Sequence, residues 1–262
     1  MMKKLLISTL MLASYLGFSQ EFSQKRSDYN ITEESVNMVF SRAWTDEYSF
    51  DVTTSRTTIY KGDTIKEEIS YSYDPTKAVG NRWETTGGTN LDVSLYEAEA
   101  FINTGQKSAL KKGRNEVPKA VSLDRIKFDS VGTDYIVFGF DADPNDLPEK
   151  YKYVAALKGY ILISKETKKF EKIVVQEKQP YKGVVGDVQK LNAEYFYKYD
   201  KENDKAYLTE QTVYMEIKSK DEEPYIMDQK DVYTNHVLAA VSDKQKKKNA
   251  KNAEKARKKM NK

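Results

Sequence analysis

The chain has no cysteine and a single histidine, His236, in 262 residues. The first absence removes disulfides, thiolate metal sites and the acyl-bearing N-terminal cysteine of a lipoprotein. The second removes any histidine cluster for zinc and leaves a Ser-His-Asp triad with only His236 to use. No G-x-S-x-G elbow accompanies that histidine, and a lone histidine this near a chain end reads as an ordinary edge or surface residue. Neither a phosphate-binding loop nor a dinucleotide fingerprint occurs. Glycine (12) and proline (6) are scarce, so the chain is not of low complexity. Beyond Phe18 no apolar run is long enough to span a membrane. These absences indicate no catalytic residue, no metal ligand and no cofactor.

Acidic residues are plentiful but carry no signature. Asp141-Ala142-Asp143-Pro144-Asn145-Asp146 has the opening of a calcium loop. Asp146 stands where the glycine should be, however, and Lys152 where the closing glutamate should be, so the stretch reads as a turn held by Asx chemistry. Of the 40 acids, 38 lie ahead of the C-terminal tail, and none is singled out by spacing as a glycosidase pair.

What is present begins with Lys3-Lys4 and an apolar stretch to Phe18, the pattern of a secretory leader. Gly17 and Ser19 are the small residues that a signal peptidase requires, which places cleavage between Ser19 and Gln20. The expected organisation is a leader over 1–19, one domain over 20–242 and a tail over 243–262, exported to the periplasm or beyond. The tail holds ten Lys/Arg and two Asp/Glu. The whole chain carries +3, the tail +8 and the leader's two lysines +2, so the body between carries −7. The tail reads either as a disordered, solubilising segment or as a docking element for an anionic envelope surface. No aromatic residues interleave its lysines to stack bases, and nucleic acid is not expected as a partner.

Hydrophobic periodicity predicts two helices. Thr32 caps the first, with Glu33 and Glu34 in its first turn and Val36, Val39, Phe40 and Ala43 on one face. Leu91, Leu95, Ala98 and Ile102 form the stripe of the second. Strands are predicted over 48–54, 56–60, 64–73, 123–128, 135–140, 159–164, 170–175, 189–199, 206–219 and 232–237, with Trp83 on a further short one. Short turns join most of them, which makes an antiparallel meander of about ten strands. Ile161 and Ile163 lie on one side of their strand, Tyr160 and Leu162 on the other. Two covered faces suggest helices packed against one side of a curved sheet.

Tyr195, Tyr197 and Tyr199 alternate along one strand and therefore share a face. Val213, Met215 and Ile217 alternate on its neighbour and continue the wall. Two readings stand for this row. The phenols pack as ordinary core, or together with Trp83 they rim an apolar cavity that holds a chain and its polar head.

The hairpin Lys158-Gly159-Tyr160-Ile161-Leu162-Ile163-Ser164-Lys165-Glu166-Thr167-Lys168-Lys169-Phe170-Glu171-Lys172-Ile173 resembles the G-x-I-x-I-D-x-x-T-x-x-I-x-K-I hairpin of LolA/LolB/LppX-type periplasmic half-barrels. Ser164 replaces the usual Asp and Phe170 the aliphatic residue. The resemblance implies a mainly β (α+β) fold: a curved antiparallel half-barrel with two helices on its concave side, enclosing an apolar cavity for acyl chains or an acylated protein. It implies no catalytic residues. The arginine that carrier members hold in the cavity has only Arg56 and Arg82 as candidates, and the motif places neither. Tyr71-Ser72-Tyr73-Asp74-Pro75, followed by Gly80-Asn81-Arg82-Trp83, resembles uncharacterised secreted proteins of Bacteroidetes, from which no activity follows. The expected function is a non-enzymatic carrier of a lipid, an acylated protein or another amphipathic ligand. The alternatives are an envelope interaction module with a packed core and, third, a carboxylate-based hydrolase.

Overall fold

The computed structural model describes residues 24–32, 47–60, 62–77, 81–89, 126–146, 149–182, 187–203, 205–218 and 224–240. Within them eleven strands form one antiparallel sheet. They are β1 (Tyr48–Tyr60), β2 (Asp63–Tyr73), β3 (Trp83–Thr89), β4 (Lys127–Val131), β5 (Tyr135–Asp141), β6 (Leu157–Ser164), β7 (Phe170–Glu177), β8 (Tyr181–Lys182), β9 (Asp187–Asp200), β10 (Lys205–Lys218) and β11 (Tyr225–Leu238). The order across the sheet is β3-β2-β1-β11-β10-β9-β7-β6-β5-β4, with β8 paired to β9. The sheet is open, and β3 and β4, consecutive in sequence, are its two edges. Register shifts interrupt the β1–β11, β9–β10, β2–β3, β4–β5 and β6–β7 pairings. Each such bulge bends its strand and adds twist.

Alternation assigns the two faces. On β1, Tyr48, Phe50 and Val52 are buried, while Ser49, Asp51, Thr53 and Ser55 point the other way. The buried set defines the core face, and strand register carries it across the sheet. Val52 sits opposite Tyr71 and Tyr233, Tyr195 opposite Gln211 and Ile173, and Ile161 opposite Ile173 and Phe138. One cluster, over β4–β7, contains Ile126, Ile136, Phe138, Ile161, Ile163 and Phe170. A second, over β1–β3, contains Tyr48, Phe50, Val52, Ile69, Tyr71 and Tyr73. Tyr197 packs against both.

The β4–β7 cluster has a cover that the periodicity did not suggest. Residues 24–28 form a short helical turn, the Ile31 N–H donates to the Arg26 carbonyl at 2.9 Å, and Asn30 takes φ 56° in the left-handed region. Asparagine tolerates that region better than most residues. The reversal brings Ile31 into the core and lays Tyr29 on Phe128, with ring centroids 6.3 Å apart.

Several expectations are corrected in detail. Strand 48–60 is continuous, because β2 and β11 pair with it on both sides through Ser55. The last strand starts at Tyr225 rather than 232: the polar run Asp228-Gln229-Lys230-Asp231 hides a strand that β1 and β10 hold from either side. A 3-10 run over Glu149–Ala156 was not foreseen. Both predicted amphipathic helices, the leader with Ser19 and Gln20, and the basic tail lie outside the described residues. In the β6–β7 turn, Ser164 does the work expected of an aspartate, its Oγ accepting the Thr167 N–H at 3.2 Å.

Gly159 sits opposite Phe140, and a Cβ there would lie 2.0 Å from Phe140 Cζ. The ring thus covers the glycine and fills the space its missing side chain leaves. Gly159→Ala is expected to destabilise the fold by about 1–3 kcal/mol through overpacking. In urea unfolding the loss should shrink when Phe140→Ala is combined with it; equal losses in both backgrounds would show that the ring is not the obstacle.

Candidate functional site

The core face changes character along its strands. Near one end it is aromatic and filled. Phe50 stacks on Tyr73 at 5.0 Å and meets Trp83 edge-on at 5.8 Å. Trp83 also lies 4.7 Å from Tyr73. His236 joins the cluster, 4.2 Å from the Tyr207 ring and 5.9 Å from Phe50. It reaches this face because of a bulge: Ser49 pairs with Val237 but Asp51 with Thr234, and Asn235 absorbs the extra residue at φ 54°. The Asn235 amide donates to Asp51 Oδ2 at 2.8 Å, which fastens the bulge. The His236 Nε2–H donates to the Leu208 carbonyl at 2.9 Å, leaving Nδ1 unprotonated in the neutral ring.

The middle of the face carries the tyrosine row. Tyr197 packs on Phe170 at 4.8 Å. Tyr195 belongs to the β1–β3 cluster. Lys169 Nζ stands 4.3 Å over the Tyr199 ring. The described contacts of this row are therefore packing contacts. Burial, with Asp231 and the neighbouring phenols Tyr195 and Tyr197, holds the Tyr233 hydroxyl far above the ordinary phenol range.

Further along lies an apolar strip. Ile65, Thr58, Met227, Met215 and Leu191 stand side by side in register across β2, β1, β11, β10 and β9. Ile65 is 50% exposed, and Met227, Met215 and Leu191 are half-buried. Val213 and Ile217 flank Met215 on the same face. Trp83 does not belong with them. It aligns with Phe50, and the strip aligns with Thr58, eight residues further along β1, a separation of about 27 Å at strand rise. Of the residues expected to line one cavity, Val213, Met215 and Ile217 lie together, Tyr195 borders them, and Trp83 packs with Tyr195 and Tyr197 against the β1–β3 cluster, away from Met215.

A polar island lies beside the strip. Arg56 Nε donates to Glu67 Oε2 at 2.7 Å, and the guanidinium NH2 contacts the same oxygen. Gln229 is opposite Arg56, and its amide donates to both Asp231 oxygens at 3.0 and 3.2 Å. Gln211 and Thr54 face Asp231 from either side. Asp231 is buried, and desolvation lifts its carboxyl above the usual range against the opposing bonds from Thr54 and Gln229. Arg56, Asp231 and Glu67 all act on the Tyr71 hydroxyl, whose pKa burial raises, so these groups form one electrostatic neighbourhood. Nothing in the sequence spacing marks the island; only register across β2, β1, β11 and β10 assembles it. The other arginine, Arg82, is buried beside Tyr73 Oη at 3.4 Å, in the aromatic cluster.

Two hollows lined by described residues are open, and neither is the enclosed apolar cavity that was expected. One, of about 570 Å3, is open and lined by Asp134, Ser164, Lys165, Glu166 and Glu171 at a turn end. The other, of about 330 Å3, is an open groove lined by Ser55, Lys66, Glu68, Asp228 and Lys230 among others. Carboxylates with lowered pKa do not pair with Asp231. Asp51, held down by Asn235 and Ser72, is on the opposite face, and Asp74 and Asp200 are in turns. Among the described residues no group of acids and histidine is placed to hold a metal.

No family model and no curated protein matches the chain. Solved structures to which the chain is similar include a LolA superfamily protein from Nitrosomonas europaea. That match has 12% identity and a TM-score of 0.28, and covers 75% of this chain and 88% of that one. An outer membrane lipoprotein-sorting protein domain from Vibrio parahaemolyticus matches at 9% identity and TM-score 0.33, over 88% and 97% of the two chains. A DUF1329 family protein from Desulfovibrio piger matches at 10% and 0.32, over 83% and 95%. Likeness at this level assigns no ligand to this chain.

His236 yields a pH prediction. Burial, helped by Lys198, lowers its pKa, and the Leu208 carbonyl only partly offsets this. The folded state therefore binds fewer protons than the unfolded chain, whose histidine titrates near about 6.5. Stability should fall as pH drops through that value. His236→Gln keeps a donor for Leu208, and its urea midpoint should lose this component of the acid dependence; an unchanged slope between pH 7 and 5 would refute the assignment.

Proposed function

We propose that this is an exported, non-enzymatic protein that binds or carries an amphipathic ligand, a lipid or an acylated protein, on the core face of its curved half-barrel sheet. The observation that carries this reading is the strip formed by half-exposed Ile65 and partly exposed Met227, Met215 and Leu191, continuous with Val213 and the buried Ile217. Exposed apolar surface of this kind, rimmed by polar groups, marks interaction sites. Methionine suits it, because an unbranched, polarizable side chain adapts to varied partners. From β2 to β9 the strip crosses four strand spacings, about 19 Å, the scale of a long acyl chain. The leader expected over 1–19 supports a location in the periplasm or outside the cell, and the reading needs no cofactor.

Native mass spectrometry of protein purified without added lipid should reveal a bound amphiphile that organic extraction removes. Met215→Asp sets a charge in the strip and should lower occupancy by about tenfold or more, with the circular dichroism spectrum retained. Equal occupancy in the variant would end the case for the strip.

A second reading, an envelope interaction module with a packed core, is favoured by the complete burial of Ile136, Phe138, Ile161 and Ile163 and by the polar character of both hollows. In this reading the basic segment 243–262 docks the protein to an anionic surface. Its deletion should then abolish pelleting with anionic vesicles while the melting temperature stays unchanged. Pelleting that survives the deletion would exclude that role.

A further inference from the structure

We infer that the core-face site selects amphiphiles whose head group is uncharged and hydroxylated, and rejects carboxylate and phosphate heads. This rests on the carrier reading above and specifies its ligand.

The argument is one of charge on the core face. Among the described core-face positions of β2, β1, β11, β10 and β9, Arg56 is the one cation. It is already bound through Nε and NH2 to a single oxygen of Glu67, a carboxylate only 9% exposed at its side chain. The next acid inward, Asp231, is 7% exposed and held by Gln229. Asp63 stands at the end of β2, and Glu177 opposite Leu157, with its Oε2 accepting the Leu191 N–H at 2.6 Å. The lysines of these strands, Lys66, Lys190, Lys198, Lys205, Lys218 and Lys230, alternate onto the opposite face. An anionic head brought to the strip would thus meet an arginine already paired with Glu67 and the carboxylates of Asp63, Asp231 and Glu177, and like charges at close range repel. A hydroxylated head meets the opposite situation. Gln211, Gln229 and Thr54, all partly exposed, form a patch that offers both donors and acceptors. An uncharged polyol can satisfy such a patch without breaking the Arg56–Glu67 pair.

The test is a competition assay on the full mature chain at pH 8, with a fluorescent uncharged monoacylglycerol as the probe. Competitors share one acyl chain and differ in head: monoacylglycerol, free fatty acid and lysophosphatidic acid. The uncharged competitor is expected to bind about tenfold or more tightly than either anion. Glu67→Gln frees Arg56 for an incoming anion and should narrow the gap to about twofold, whereas Arg56→Gln should leave the preference in place. Anions binding as well as the uncharged lipid to the wild-type chain would overturn the head-group inference and leave the carrier reading standing. If the probe and all three competitors fail to bind, the carrier reading falls and this inference with it. The wild-type comparison decides the matter even if a variant does not fold.

Discussion

The structure depends on one long seam, the pairing of β1 with β11. β1 lies next to the last strand in sequence and is hydrogen-bonded on its other side to β2 through eleven consecutive pairs. Without that seam, β1–β3 would be an isolated small sheet and β4–β11 a separate meander, each with an apolar face short of partners. With it, the two buried clusters meet through Tyr197, and the strip runs from Ile65 through Thr58 to Leu191. The seam joins residues nearly two hundred positions apart, and such contacts are costly in loop-closure entropy. Two short bonds fasten its Tyr48 end: the Ala239 N–H on the Glu47 carbonyl at 2.7 Å and, out to β9, the Tyr48 hydroxyl on Asp200 at 2.7 Å.

Around the seam the core face divides its labour. The aromatic end and the β4–β7 end are filled and supply stability. The end bearing methionines is left half open and supplies surface. The polar island lies between them, where β1 and β11 bring Arg56, Gln229 and Asp231 into one neighbourhood. Placing such groups among apolar side chains is unfavourable unless each is hydrogen-bonded, and the Arg56–Glu67 and Gln229–Asp231 bonds meet that condition. The result is a face with one polar landmark and no surplus positive charge.

Much of the strand inventory was legible because alternation is strong where only one face is buried. Tyr48-Ser49-Phe50-Asp51-Val52 announces its pleat directly, and Ile161 with Ile163 does the same. Lys61-Gly62-Asp63 marked its turn, where Gly62 takes φ 82°. The extent of β11 was not legible: Asp228 to Asp231 looks like a loop until two neighbours pair with it. Nor was the bulge at Asn235, which turns His236 from an edge residue into a core one. The alignment of Tyr195, Tyr197 and Tyr199 followed from their spacing, but the role of Tyr197 as the bridge between two clusters needed the partners across β7 and β10. Grouping Trp83 with Met215 failed for the same reason. Residue type suggested a shared wall, and only register reveals how far apart on β1 their partners stand.

The seam also makes the sheet's order a simple one shifted along the chain. Apart from the two-residue β8, which lies off the path beside β9, reading across from β4 to β11 and on through β1, β2 and β3 gives neighbours in succession. The natural chain merely starts in the middle of that cycle. A circular permutant opened between β3 and β4, with the Glu47 and Ala239 ends of the seam spliced by a short linker, would be a plain up-and-down meander. Its contacts would be far more local, and topology of that kind favours fast folding. The two edges would then coincide with the new chain ends, and the present N-terminal strand would become an interior rung like any other.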